Sequence, residues 1–331
     1  MSFQKNVELD ELIVHLNDLL EPIEQKLLNN LDAKTDVFPT LFLIGTPRSG
    51  STLFMQWAAS TGAFAYPSNF LSRFNRAPGV GALIYRMVTD PVYQYKEEFS
   101  DIRKSVNFTS TLGKTKGFTA PHEFWYFWRR FMEFQEVPCG EEYFEANFDF
   151  RTFQNELSVL KGAFGKPFIM KGQILNWYLE TVSKKLKNSI YIHLHRNPVS
   201  VCKSLLKARE TWFGSRDVWF SAKPREYKWL AEMDVYHQVA GQVYFINKGI
   251  ETKKYHIEDT YLRIDYEDFC EQPGLFYNRL GDKISLLHPG HELADYTGIK
   301  RFEVSDEKSS DDTKLEEAYT YFENNYGNIN T

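Results

Sequence analysis

Four short, unbroken apolar runs punctuate the chain: Leu41-Phe42-Leu43-Ile44, Pro167-Phe168-Ile169-Met170, Ile190-Tyr191-Ile192-His193-Leu194 and Tyr261-Leu262-Arg263-Ile264. Runs of this length read as strands buried on both faces, as in a parallel sheet. Sequence of helical periodicity separates each run from the next. The expected fold is therefore α/β: a parallel central sheet with helices on both faces. Before the first strand, residues 7–31 carry apolar positions at helical spacing, from Leu9, Leu12 and Ile13 to Ile23 and Leu27. The pattern predicts an amphipathic helix, bent or broken near Pro22, that packs on the main domain. We take 1–37 as this N-terminal segment and 38–331 as one α/β domain. Between the first two strands lies an aromatic-rich insert, about 62–160, of mostly helical periodicity. Phe124, Phe127, Trp128 and Phe131 form its clearest helical stripe, and the insert is expected to cap the sheet. The stretch after Phe302 is polar and acidic (Asp306, Glu307, Asp311, Asp312, Glu316, Glu317), and its first half reads as a loop.

Length and composition narrow the class. The 331 residues are 43% hydrophobic, enough for a large core, and the net charge of -5 lacks the basic excess of a dedicated nucleic-acid binder. An anionic ligand must therefore meet a local cluster of cations. No run reaches the 18 or so apolar residues of a membrane span, and Met1–Asp10 has no apolar core of a signal peptide. Cys139, Cys202 and Cys270 match no zinc spacing and read as reduced thiols of a cytoplasmic protein. No metal site is expected.

The chemistry concentrates after the first strand, in Gly45-Thr46-Pro47-Arg48-Ser49-Gly50-Ser51-Thr52-Leu53. Two glycines let the backbone curl tightly, and the following helical run, Leu53 to Ala59, adds unpaired N–H groups and a positive dipole end. Such a strand–loop–helix unit cradles a phosphate-like anion. It is P-loop-like, but the template G-x-x-x-x-G-K-[ST] has lost its lysine to Ser51. Without that lysine, and with only Asp265 as a weak candidate for a Mg²⁺-holding acid, a nucleoside triphosphatase is disfavoured. A second anchor follows the third strand. Asn197 and Pro198 start a helix, leaving Arg196 at the strand's carboxyl end, where open α/β sheets bind ligands. Ser204 lies on that helix, with Ser200 as a rival one turn earlier.

Together these elements resemble the PAPS-dependent sulfotransferases. That family pairs a P-[KR]-x-G-[ST]-T loop with an Arg and, eight residues on, a Ser; the matches are Pro47-Arg48-Ser49-Gly50-Ser51-Thr52 and Arg196 with Ser204. The likeness runs from about residue 40 to about 285. It implies that Arg48, Ser49, Gly50, Ser51, Thr52 and Leu53 hold the 5′-phosphosulfate side of 3′-phosphoadenosine-5′-phosphosulfate (PAPS), and Arg196 and Ser204 its 3′-phosphate. It further implies transfer of a sulfuryl group, without a metal, to an acceptor hydroxyl on a carbohydrate, phenol or hydroxylated lipid-like molecule. Lys171, at the end of the second strand, fits the family lysine that contacts the transferring sulfonate; with Arg48 it would stabilise charge on the leaving oxygen.

The general base departs from the pattern. Small-molecule members carry Lys-x-His at this strand end, whereas here the triplet is Lys171-Gly172-Gln173, and glutamine cannot take a proton. The candidates become Glu123 and His122, with burial expected to raise the glutamate's pKa toward a useful range. Where the family often stacks adenine on a tryptophan, this chain has Leu53; Trp57 reads as core. Tyr66, Asn69 and Phe70, beyond the loop, and Trp125 are candidate acceptor contacts, with Trp212, Trp219 and Lys223 for an opposite wall. The competing readings are a P-loop small-molecule kinase and a catalytically silent nucleotide-binding scaffold of the same fold.

Overall fold

The computed structural model describes residues 6–30, 38–96, 98–103, 108, 110–111, 113–304 and 309–329. Its strands are β1 (Thr40–Ile44), β2 (Ser110–Thr111), β3 (Lys114–Thr115), β4 (Phe168–Lys171), β5 (Ser189–His195) and β6 (Tyr261–Asp265). The four apolar runs are the four strands of one sheet, ordered β4-β1-β5-β6 and parallel throughout. The expected α/β fold is the observed one. Residues of β1, β4 and β5 are buried almost without exception, which is why their sequences read as continuous rather than alternating apolar runs.

Alternation reappears in which face each side chain serves. Leu41 and Leu43 join a core that includes Phe54 and Trp57 of α2 (Ser51–Thr61). Phe42 and Ile44 point to the other core, with Phe153 and Leu157, two residues of the insert. The insert is built of α3 (Pro78–Thr89), α4 (Trp125–Trp128), α5 (Glu141–Asn147) and α6 (Phe150–Phe164). It also contains the small antiparallel β2–β3 ribbon, for which the periodicity gave no sign. Its aromatic stripe is core, as its spacing implied, but not on one long helix. Phe124 takes a left-handed φ of 60°, so α4 is a single turn. The chain returns to the sheet through α7 (Leu179–Lys185), β5 and α8 (Pro198–Phe213). It continues through α9 (Tyr227–Leu230) and α10 (Val235–Glu251), then β6, α11 (Tyr266–Glu271), α12 (Pro273–Leu287) and α13 (Asp312–Tyr326). Part of the acidic C-terminal stretch is therefore helical, while Asp306 and Glu307 lie outside the described residues.

The N-terminal helix, α1 (Val7–Asn29), runs through Pro22 and docks differently from its apolar pattern. Leu12, Leu19 and Ile23 are exposed, while Asn17 and Glu24 are buried. The Glu24 carboxylate accepts the Gly79 and Val80 N–H groups (2.8 and 2.9 Å) at the start of α3. Asn17 donates to the Arg73 carbonyl (2.7 Å) and accepts from the Arg76 N–H (2.8 Å). A helix N-terminus favours an acid at that place, so polar complementarity fixes the docking. Among the described residues no helix is long and apolar enough to cross a membrane.

Candidate active site

Strand order reverses around β1, which has β4 on one side and β5 on the other, so the carboxyl ends of the sheet open a crevice there. Each strand end delivers part of one site. The β1 end turns at Gly45 (φ 129°), where a Cβ would stand 2.6 Å from the Leu194 carbonyl oxygen; only glycine fits. Asn176, after β4, pins this turn from both sides, accepting the Gly45 N–H (3.0 Å) and donating to its carbonyl (2.9 Å). Gln173 donates to the Thr46 carbonyl (3.2 Å). The glutamine that replaces the expected base thus braces the anion loop. The Ser49 hydroxyl is buried without a hydrogen-bond partner. Gly50 begins α2 with φ 93° and no side-chain cap, so the first N–H groups of α2 face the crevice with the dipole behind them.

The two anchors meet. Arg48, itself at φ 68°, donates from Nε to Ser204 Oγ (3.0 Å), and Arg196 donates to the Arg48 carbonyl (3.3 Å). Ser204, the serine eight residues after Arg196, is the one that accepts from Arg48 Nε. The Arg196 guanidinium lies 4.6 Å from the ring centre of Tyr266, the residue following β6. His195 and Asp265 are register partners at the ends of β5 and β6, and their side chains bond at 3.0 Å, which ties together the strand ends that carry Arg196 and Tyr266. Burial, and then repulsion from Arg196, lower the pKa of Arg48. Two guanidinium groups drawn from solvent, beside a buried hydroxyl and the open N–H groups of a helix start, form a surface suited to an anion. Asp265, the one candidate for a metal-holding acid, is occupied by His195 and Arg263.

Across the crevice, Lys171 is 9% exposed and bonds Thr52 Oγ1 (3.2 Å) and Glu123 Oε1 (2.8 Å). The other Glu123 oxygen accepts from Trp125 Nε1 (2.7 Å). Burial would raise the Glu123 pKa, but the charge and hydrogen bond of Lys171, with that of Trp125, outweigh it and the pKa is lowered. The expectation of a raised glutamate is corrected: its partner lies 48 positions away and was invisible locally. His122 accepts the Phe124 N–H at Nδ1 (2.9 Å), and burial pushes its pKa down to about 4. It is not among the residues that line the cavity described below.

One cavity of about 1110 Å³ opens over this arrangement; Ser49 and Ser204 are not among its lining residues. Pro47, Arg48, Gly50 to Leu53, Lys171, Arg196 and Tyr266 line it, together with Glu123 and Trp125. Tyr66, Asn69 and Phe70 do not reach it. Tyr66 and Asn69 bond carbonyls of the 115–119 segment, and Phe70 stacks on Phe118 at 4.3 Å. All three are held by contacts within the insert. Trp57 is core, bonded to Tyr296, and Trp219 lies under Arg209 rather than in the wall. The far wall instead comes from residues 129–139, 174–178 and 212–223, including Trp212 and Lys223. The 129–139 segment has no regular periodicity, so no sequence signal marked it. Tyr266 and Asn176 follow strand ends, a position that could have flagged both.

These features define an α/β protein with a crevice of basic side chains and open helix N–H groups at the switch point of its sheet. The sequence profile of the sulfotransferase family matches residues 39–287, and the chain belongs to that family. Among solved structures it is similar to sulfotransferase STF1 from Mycobacterium tuberculosis H37Rv, with a TM-score of 0.50 and 12% identity over 92% of this chain and 81% of that one. Sulfotransferase STF9 from Mycobacterium avium gives 0.47 and 12% over 88% and 77%. The sulfotransferase domain of the Synechococcus PCC 7002 olefin synthase gives 0.39 and 15% over 86% and 94%. No curated protein matches the chain in sequence.

Proposed function

We propose that the protein transfers a sulfuryl group from PAPS to an acceptor hydroxyl, within one α/β domain spanning 38–331. The observation that carries this reading is the meeting of Arg48, Arg196 and Ser204 at the head of the loop. An anion there and a second at the start of α2 fit a doubly phosphorylated adenosine. The orphan Ser49 hydroxyl and the glycine-only cradle support an anion in the loop. Lys171 and the α2 N–H groups can stabilise charge that grows on the leaving oxygen.

Glu123 is the proposed base and Lys171 its controller. Before reaction, Lys171 holds Glu123 ionised and weakly basic. When Lys171 turns to an anionic oxygen of the donor, its hold on Glu123 slackens and the carboxylate's proton affinity rises. The acceptor oxygen then bonds to sulfur, the bond from sulfur to the bridging oxygen breaks, and the acceptor proton passes to Glu123. The free thiols Cys139, Cys202 and Cys270 support a reducing compartment, the cytoplasm, as the place of work.

Two measurements test the reading. Calorimetry compares 3′-phosphoadenosine 5′-phosphate (PAP) with ATP and Mg²⁺, and labelled PAPS is offered with a panel of hydroxylated acceptors. Binding of PAP and label transfer are expected. Binding of ATP alone would make a kinase the better reading, and PAP binding without transfer would leave a silent scaffold.

A further inference from the structure

The cavity is larger than the roughly 300–1,000 Å³ typical of a single-ligand pocket. Its donor end uses Arg48, Lys171 and Arg196. The remainder is chiefly apolar, with Met132, Phe134, Ile174, Trp177, Phe213 and Phe220 in its wall. Three more cations line the cavity: Lys114, Arg129 and Lys223. Lys223 is paired with Glu136 and lies over the Tyr227 ring (3.9 Å), and Lys114 lies over the Trp212 ring (4.7 Å). The exposed Arg129 side chain has no acid, hydrogen-bond or ring partner among the described residues. Altogether six basic side chains and two acids line the cavity, both acids already paired with lysines, in a chain of net charge -5. The donor accounts for three of the cations and Glu136 pairs with Lys223, so Arg129 is a lining charge that neither the donor nor an acid of the cavity accounts for.

Resting on the sulfotransferase reading, we infer that the acceptor is a hydroxylated amphiphile: an apolar body that carries an anionic group, with Arg129 as the residue that selects the anion. Arg129 follows Trp125 by one helical turn and lines the same cavity as Glu123. An acceptor that presents its hydroxyl to Glu123 would lay its apolar body along the wall. Its acid would then fall to a guanidinium with a free planar face for bidentate pairing.

The test is equilibrium binding read by the fluorescence of the cavity tryptophans (Trp125, Trp177 and Trp212), with and without PAP. The probes are 12-hydroxydodecanoate and 1,12-dodecanediol, which share the chain and differ in the carboxylate. Wild type is expected to bind the acid at least about fivefold more tightly than the diol, the upper end for a charge pair at an exposed site and within reach of bidentate pairing. R129Q should bring the acid's constant to the diol's, and R129K should restore part of the gap. Equal binding of both probes by wild type, a preference that survives R129Q, or no saturable quenching by either probe would overturn the inference. Failure of PAP to bind alongside a retained, Arg129-dependent acid preference would instead strike the donor assignment and leave the acceptor class standing.

Discussion

Glu123→Gln is the perturbation that bears hardest on the proposed chemistry. The carboxylate now satisfies two donors, Lys171 Nζ at 2.8 Å and Trp125 Nε1 at 2.7 Å. Glutamine offers one oxygen and one NH₂ group, so whichever way it turns, one donor loses its acceptor and faces the amide's hydrogens. The folding cost should stay small. The Glu123 side chain is 41% exposed, water can reach the donor left over, and Lys171 keeps Thr52. A loss below about 1 kcal/mol is expected in urea unfolding, the scale of a solvent-screened pair. The effect on turnover should be far larger, because glutamine cannot accept the acceptor's proton: kcat is expected to fall by about 10²–10⁴, the usual contribution of a positioned base. PAP affinity should stay within about threefold, since Glu123 bonds Lys171 and Trp125 and makes no hydrogen bond to Arg48, Arg196 or Ser204 among the described residues. The assay is single-turnover transfer of labelled sulfuryl at saturating PAPS, beside calorimetric PAP titration of the same preparation. More than a tenth of wild-type kcat in E123Q, with PAP affinity unchanged, would refute the base assignment. His122 could not replace it, because its Nδ1 is committed to the Phe124 N–H.

Two other outcomes follow from single sites. Gly50→Ala would place a Cβ 2.2 Å from the Tyr266 ring at φ 93°, so it should destabilise by about 2–5 kcal/mol through overpacking and strain and weaken PAP binding by moving Tyr266 off Arg196; Gly62→Ala, with φ 69° and no neighbour within 4 Å, should cost only about 1–2 kcal/mol of strain and leave binding alone. His122 has a folded pKa of about 4 against an ordinary 6.5, so the unfolded chain binds the proton first and stability is lost as pH falls from 6.5 toward 4, by up to about 2 kcal/mol at pH 5. Urea midpoints at pH 7.5 and 5 should therefore show a smaller acid loss for H122N than for wild type, and equal losses would contradict the neutral role.

How much of this was legible in the chain depended on the range of the information. The strands announced themselves because burial on both faces makes runs such as Leu41–Ile44 uniformly apolar. The anion loop was legible because backbone curling needs Gly45 and Gly50 at fixed offsets. Asn197 and Pro198 likewise marked the helix start that leaves Arg196 at the strand end, and Asn197 does cap it, accepting the Ser200 N–H at 3.1 Å. What misled was nonlocal. Tyr66, Asn69 and Phe70 follow the loop in sequence, yet the 115–121 segment takes them up, and the wall is supplied by residues 129–139 and 212–223. The Glu123 pKa reversed direction because β4 brings Lys171 to it. The N-terminal helix showed its leucines, but it docks through Asn17 and Glu24, whose partners lie 55 or more positions away.

The account stands on two anchors gripping opposite ends of one doubly phosphorylated nucleotide, and the most direct measurement is calorimetry of Arg196→Ala with PAP and with adenosine 5′-phosphate. The ligands differ by the 3′-phosphate, for which Arg196 would supply charge-assisted hydrogen bonds worth about 1.5–3 kcal/mol, or roughly 10–150-fold in affinity. The prediction is a loss of that size for PAP and less than about threefold for adenosine 5′-phosphate. Equal losses for the two nucleotides would contradict it.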